Sequence, residues 1–175
     1  MGGVVLVEDE SRIEFEAKQD RIWAPKGVYP KLEYTGERIG RCFYGASNIF
    51  TKEHIVHEAY WMTSKETVEF LRKIKTHYQR HWKKKVKVLM IWDGAPVHRG
   101  AVKEFLKENY DWLELMYFSA YSPELNPQEW MWKEAKKKVC LNHEEDVFEE
   151  LVYKFYRFLI SHQLSPTFSL KVLGL

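Results

Sequence analysis

Three acidic side chains stand where the sequence predicts that secondary-structure elements meet. Asp9 and Asp93 each close a short apolar run, and Glu129 lies in the first turn of a predicted helix. If the two runs form neighbouring parallel strands, these carboxylates converge at one edge of a sheet. Like charges held that close repel each other, and a divalent cation relieves the repulsion. Oxygen-only ligation favours Mg²⁺ or Mn²⁺, and two such ions about 4 Å apart can promote phosphodiester cleavage.

Glu129 has a second interpretation as part of a helix cap. Asn126 is a favourable N-cap residue, and Pro127 suits the first helical position because its missing N–H is not needed there. Glu129 then falls at the third position, where a carboxylate can reach back to the backbone N–H of the cap. The two roles are compatible, because the cap would fix the direction in which Glu129 points.

Hydrophobic periodicity predicts the elements that position these residues. Short β-branched runs indicate strands, and apolar residues at helical spacing indicate helices. Closely spaced strands favour antiparallel pairing, whereas strands separated by helices favour parallel crossovers. We therefore predict an α/β fold with a mixed five-stranded sheet, an antiparallel meander plus parallel strands, flanked by helices. The predicted strands are Val4–Asp9, 38–47, 54–62, Val86–Asp93 and Leu113–Phe118, and the predicted helices are 65–81, 101–108, one from Pro127, and 144–161.

Composition predicts a single intracellular domain. The 175 residues, 45% of them hydrophobic, suffice for one globular domain that spans 1–175. The longest apolar runs are too short to cross a bilayer, and the first residues lack the basic and apolar regions of a signal peptide. Cys42 and Cys140 have no metal-type spacing, and a reduced pair is expected. We expect a cytoplasmic protein without a membrane segment.

Basic charge is concentrated in two segments, although the net charge is only +2. Residues 72–87 hold eight Lys or Arg and no acid, and residues 133–138 hold four lysines. Such runs form either a solvated face or a surface for a polyanion such as DNA. Trp130 and Trp132, beside the second run, are expected to pack in the core. The candidate DNA contacts are Lys83, Lys84, Lys85, Lys133, Lys136 and Lys137.

Three segments resemble the signature blocks of the DDE transposases: "LVEDES" (6–11), "IWDGAPVH" (91–98) and "SAYSPELNPQEWMW" (119–132). They are most similar to the mariner-like superfamily and its bacterial and archaeal insertion-sequence branch. The 35 residues between Asp93 and Glu129 fit the interval typical of that family. "DRIWAPKG" (20–27) also resembles a Trp-containing segment of the insertion-sequence branch. The resemblance covers about residues 4–159.

This resemblance implies an RNase H-like fold in which Asp9, Asp93 and Glu129 form a catalytic triad that binds two Mg²⁺ or Mn²⁺ ions. The family pattern aligns its "DE" pair with Asp9–Glu10, which favours Asp9, with Glu8 as the alternative. Strand alternation sends Glu8 and Glu10 to the face opposite Asp9.

Three further residues are possible substrate contacts or could orient a metal ligand: Glu10, His98 and Asn126. His98 matches the family's D-x-x-x-x-H pattern but could equally be a structural histidine. Gly94 stands where many relatives carry Asn, which places only an accessory hydrogen bond in doubt.

The implied function is that of the catalytic domain of a cut-and-paste transposase, acting as a dimer on double-stranded transposon ends and target DNA in the nucleoid. A transposase-derived DNA-binding protein without catalysis and a structure-specific RNase H-like nuclease are the alternatives. Relatives read their ends with an N-terminal helix-turn-helix region. We expect that region to be absent from this chain, either removed or encoded separately.

Overall fold

A single mixed sheet organises the computed structural model, which describes residues 3–16, 24–29, 39–81, 86–118 and 126–162. Within these ranges five strands and four α-helices follow one another in the order that the periodicity predicts. None of the described helices has the length and hydrophobicity required to cross a membrane. The strands are β1 Gly3–Glu14, β2 Gly40–Asn48, β3 His54–Ala59, β4 Lys87–Trp92 and β5 Leu113–Tyr117. The helices are α1 Ser64–His81, α2 Ala101–Asn109, α3 Pro127–Ala135 and α4 Phe148–Ser161.

The strand order is β3-β2-β1-β4-β5, with antiparallel pairs on one side of β1 and parallel pairs on the other. The short β2–β3 connection permits a hairpin, whereas α2 carries the chain from β4 to the parallel β5. The predicted mixed sheet of five strands is therefore confirmed.

Strand β1 is longer than predicted. The prediction that it ends at Asp9 is wrong, because β1 continues to Glu14 and pairs with β2 up to Glu14↔Gly40. Pairing with β2 stabilises an extended backbone through three consecutive acids that have low strand propensity themselves. The parallel pairing with β4, however, stops at Val7↔Ile91. Asp9 thus lies inside a strand but just beyond the end of the β1–β4 ladder.

Side-chain alternation divides the core into two layers. Leu6, Tyr44 and Met90 pack with α1 and α2 on one face of the sheet. On the other face, Ile13 and Phe43 pack with α3 and α4. Neighbouring residues of β1 consequently enter different environments, and this separation governs where its acids point.

Helix α3 approaches the sheet closely at Gly45, which pairs with Asp9. A Cβ atom at Gly45 would lie 2.5 Å from Nε2 of Gln128 and 2.8 Å from ring carbons of Trp132. Both of these side chains are fully or almost fully buried. A glycine here therefore lets α3 lie directly over the strand beside Asp9.

We expect Gly45→Ala to lower the free energy of unfolding by about 1–3 kcal/mol, because the added methyl group overpacks the contact with the Trp132 ring. Gly94→Ala is the matched control, since nothing lies within 4 Å of a Cβ atom there. The control should leave stability unchanged or slightly raised. Urea unfolding of both variants measures the difference, and equal stabilities would contradict a tight α3–β2 contact.

Candidate active site

Asp9 and Asp93 are placed level with each other by the parallel register of β1 and β4. The last ladder pair is Val7↔Ile91, and each aspartate stands two residues further along its chain. Because side chains alternate along a strand, each aspartate shares the face of the residue two positions before it. Val7 and Ile91 pack in one apolar cluster, so both aspartates follow residues on the same face.

Glu129 reaches this region through the first turn of α3. Asn126 caps the helix, as predicted: its Oδ1 accepts from the backbone N–H of Gln128 at 2.9 Å. Its Nδ2 also donates to the carbonyl oxygen of Glu8 at 3.5 Å. Among the described residues the Glu129 carboxylate makes no hydrogen bond to the cap. The cap therefore ties the start of α3 to β1 and leaves the Glu129 carboxylate available.

Trp132 supplies a second connection between α3 and β1. Its Nε1–H donates to Oδ2 of Asp9 at 3.0 Å, although the ring itself is 2% exposed and packs in the core. Core packing was the expectation for this tryptophan, whereas its bond to Asp9 was missed. The spacing offered a signal, because residues three apart share a helix face and Trp132 follows Glu129 by three.

Electrostatics show that the carboxylates interact. Burial, together with the negative charges of Glu129, Glu10 and Asp93 in that order of importance, raises the pKa of Asp9 to about 8. Asp93 itself is half exposed, and its Oδ1 accepts from the backbone N–H of Ala95 at 2.8 Å. Negative charge thus accumulates around Asp9.

An oxygen-rich, negatively charged group of this kind fits a hard divalent metal ion. Asp9, Asp93 and Glu129 offer only carboxylate oxygens, which suits Mg²⁺ or Mn²⁺. The raised pKa of Asp9 is the physical sign of the fit, because a cation would offset the charges that favour its protonation.

Glu8, Glu10 and His98 lie on the other face of β1. His98 sits in a 3-10 turn, Pro96–His98, and its ring stacks on Trp92 with centroids 4.0 Å apart. Its Nδ1 donates to the carbonyl oxygen of Asp93 at 3.0 Å, and its Nε2 lies 3.1 Å from Oε1 of Glu10. Glu8 is 1% exposed, and its Oε2 lies 3.3 Å from Nε2 of His98.

These contacts bear on three predicted residues. Burial alone would lower the pKa of His98, but its hydrogen bond to Glu10 and the nearby Glu8 carboxylate raise it to about 11. Burial, together with the charge of Glu10, raises the pKa of Glu8 to about 8. The buried His98 faces protein groups rather than solvent, which favours an orienting role towards Asp93 over a direct contact with phosphate. Glu8, the alternative to Asp9, points away from α3 and Glu129.

The lysines of the two basic segments differ in their contacts and in their exposure to solvent. Lys83, Lys84 and Lys85 lie outside the described residues. In α1, Nζ of Lys73 donates to the carbonyl oxygen of Val56 at 2.7 Å, and Nζ of Lys75 donates to Oδ1 of Asn109 at 2.6 Å. Lys133 and Lys137 on α3 and its π-helical extension are exposed, whereas Lys136 is half-buried. Among these described lysines, Lys75 and Lys136 are half-buried, whereas Lys73, Lys133 and Lys137 are exposed.

In metal-free buffer we expect the free energy of unfolding of the Asp9→Asn variant to rise relative to that of wild type as pH increases from 3.8 to about 8. Between these values folded wild type holds a proton on Asp9 that the unfolded chain releases, so wild-type stability falls with rising pH. The amide introduced by this substitution keeps an oxygen that can accept the hydrogen bond from Trp132, but the amide cannot ionise. Urea midpoints at about pH 5 and about pH 8 with chelator test this, with the exposed Glu108→Gln as charge control. The same stability difference at both pH values would contradict a buried, charge-crowded Asp9.

The fold matches that of solved transposase structures. The Mos1 transposase paired-end complex with left transposon end has a TM-score of 0.70 at 15% identity, over 97% of this chain and 51% of that one. The Mos1 mariner paired end complex with Mn has a TM-score of 0.67 at 15% identity, over 97% and 51%. The catalytic domain of Mos1 mariner transposase has a TM-score of 0.64 at 14% identity, over 97% and 75%. This chain spans about half the length of the Mos1 chains in the two complexes.

These likenesses establish an RNase H-like fold, as the resemblance implied. A search of curated proteins found no significant match. The model of one family, described as DDE superfamily endonuclease, matches residues 4–152, which include Asp9, Asp93 and Glu129. The chain therefore belongs to the DDE superfamily endonuclease family.

Proposed function

We propose that this chain is the catalytic domain of a cut-and-paste DNA transposase that cleaves and joins phosphodiester bonds with Mg²⁺ or Mn²⁺. The observation that carries the proposal is the arrangement of three acids. Asp9 and Asp93 stand level beyond the end of the parallel β1–β4 ladder. Glu129 lies in the first turn of α3, and Trp132 of the same helix donates a hydrogen bond to Asp9. The charges of Asp93 and Glu129 both act on Asp9.

Asp9, Asp93 and Glu129 would hold the metal ions in this proposal. When bound, two such ions activate the attacking oxygen and stabilise the leaving oxygen of an in-line displacement. In cleavage, water forms a bond to phosphorus while the bond to a 3′ oxygen breaks. In joining, the freed 3′-OH forms a bond to a target phosphorus while another 3′ oxygen leaves.

The chain's own residues would serve these steps by positioning. Trp132 holds one oxygen of Asp9, and the Asn126 cap fixes the start of the helix that carries Glu129. Asp93 is held by the backbone N–H of Ala95 at one carboxylate oxygen. Catalysis of phosphoryl transfer depends on such fixed geometry, because it consists almost entirely of positioning and charge stabilisation.

Double-stranded DNA is the proposed partner, and the exposed lysines of α3 support it. Lys133 follows Glu129 by one helical turn, so the two residues share a face of the helix. Lys137 follows Lys133 by another turn and is also exposed. Lysines at this position can contact the phosphates on either side of a bond at the acidic triad.

The solved Mos1 structures support the wider proposal that the active complex contains two copies and both transposon ends. Those structures include paired-end complexes and a strand transfer complex. Sequence reading belongs, in this proposal, to a helix-turn-helix region outside the chain. The site of action would be the cytoplasm, on the DNA of the nucleoid.

We expect Asp9→Asn, Asp93→Asn and Glu129→Gln each to reduce Mn²⁺-dependent nicking of supercoiled DNA by at least about 100-fold, the effect of removing one group that stabilises a transition state. Each change removes a charge but nearly preserves the side-chain shape. Glu108→Gln, an exposed acid on the opposite layer, should nick like wild type. Circular dichroism and thermal unfolding establish that each variant is folded.

The alternatives give different results in the same assay. Near-wild-type nicking by Asp93→Asn would exclude the proposed mechanism. Nicking without joining of a labelled 3′-OH end to the plasmid would indicate a structure-specific nuclease. DNA binding without metal-dependent nicking by wild type would indicate a non-catalytic DNA-binding protein.

We expect this chain to bind DNA without sequence preference, with a Kd of about 10⁻⁴–10⁻⁶ M at physiological salt. Replacing Lys133 and Lys137 together with Gln should weaken binding equally for all sequences and reduce the slope of log K against log salt by about two. The matched control replaces Lys103 and Lys107, two exposed lysines of α2 on the other layer. Equal slopes for the two double variants would show that Lys133 and Lys137 form only a solvated face.

A further inference from the structure

A second group of potential metal ligands lies across the sheet from Asp9. Glu8, Glu10 and His98 each offer one ligand atom, and these atoms all lie within 4.8 Å of one another. Alternation along β1 directs Glu8 and Glu10 to the layer of α1 and α2, whereas Asp9 faces α3. This group is therefore a different set of side chains from the proposed catalytic triad, and it adjoins the triad at one point, where Nδ1 of His98 lies 3.4 Å from Oδ1 of Asp93.

The spacing of the three ligand atoms fits coordination to one cation. Nε2 of His98 lies 3.1 Å from Oε1 of Glu10 and 3.3 Å from Oε2 of Glu8. Two ligand atoms that each lie about 2.1 Å from a tetrahedrally coordinated cation are about 3.4 Å apart. A cation between the three side chains therefore requires little movement of any of them.

The orientation of His98 also fits that of a metal ligand. Its Nδ1 donates to the carbonyl oxygen of Asp93 at 3.0 Å, which leaves Nε2 as the nitrogen directed at the two carboxylates. Histidines that bind metals generally donate their other ring N–H to a carbonyl or carboxylate in this way. Stacking on Trp92, with an interplanar angle of 11°, fixes the plane of the ring.

Glu8 provides an independent observation. The residue is 1% exposed, and neither carboxylate oxygen has a hydrogen-bond partner of good geometry within the described part of the chain. Buried oxygen atoms without partners are unfavourable, and a cation between the three side chains would supply Glu8 with the partner that it lacks.

We propose that Glu8, Glu10 and His98 bind one divalent transition-metal ion such as Zn²⁺. A ligand set with an imidazole favours Zn²⁺ over Mg²⁺, whereas the oxygen-only triad favours Mg²⁺ or Mn²⁺. The bound ion joins β1 to the turn that follows Asp93, and it thereby holds the backbone of Asp93 in place. The proposal does not depend on DNA cleavage, because none of its three ligands belongs to the triad.

The test uses the 175-residue chain carrying Asp9→Asn, Asp93→Asn and Glu129→Gln, so that the triad cannot account for the bound metal. After loading with Zn²⁺ and dialysis, we expect about one zinc per chain by elemental analysis and a higher melting temperature. Adding Glu10→Gln or His98→Gln should weaken zinc binding by at least about 10-fold. His57→Gln is the matched control, because Nε2 of His57 pairs with Glu66 at 3.0 Å elsewhere on the protein.

Two results would overturn the proposal. One is that the protein with its triad acids replaced retains no zinc after dialysis. The other is that the His98→Gln and His57→Gln variants of that protein retain equal amounts of zinc. If His98→Gln fails to fold, Glu10→Gln decides the question, because glutamine preserves the shape of glutamate but is a poor ligand. Loss of DNA cleavage has no influence on this experiment, since its background already lacks all three triad acids.

Discussion

The contact between the first turn of α3 and strand β1 is the constraint on which the candidate site depends. Two hydrogen bonds hold this contact together: Trp132 donates to the Asp9 carboxylate, and Asn126 donates to the backbone carbonyl oxygen of Glu8. Gly45 permits it, because any larger residue would separate α3 from the sheet. Glu129 has no other described anchor at this edge. Its position relative to Asp9 therefore follows from how closely one helix packs on one strand.

Strand β1 concentrates negative charge that folding alone does not favour. Three consecutive acids enter partly or fully buried surroundings, and the pKa values of Glu8 and Asp9 both rise to about 8. His98 offsets the charge on one face, while the other face offers carboxylates to a cation. Natural proteins commonly keep such unfavourable local arrangements at functional sites and compensate for them elsewhere. Here the compensation is a large apolar core on both faces of the sheet.

The fold resembles that of Mos1 transposase although this chain is only 14–17% identical to the Mos1 structures named above. The level placement of Asp9 and Asp93 follows from backbone register, which many apolar sequences can satisfy. Glu129 needs a capped helix start and a small residue beneath the helix. Such geometry constrains only a few positions, so the fold can persist while most side chains change.

The sequence by itself determined the order of the elements, the mixed sheet and the three acids, because periodicity, capping residues and motif spacing are local properties of the chain. It also indicated that Asn126 caps α3. Only the tertiary structure decided that β1 continues to Glu14, because pairing with β2 overrides the low strand propensity of its acids. The same holds for the bond from Trp132 to Asp9 and for the internal bonds of Lys73 and Lys75. These contacts join residues far apart in the chain, and no local pattern specifies which distant partner a side chain will meet.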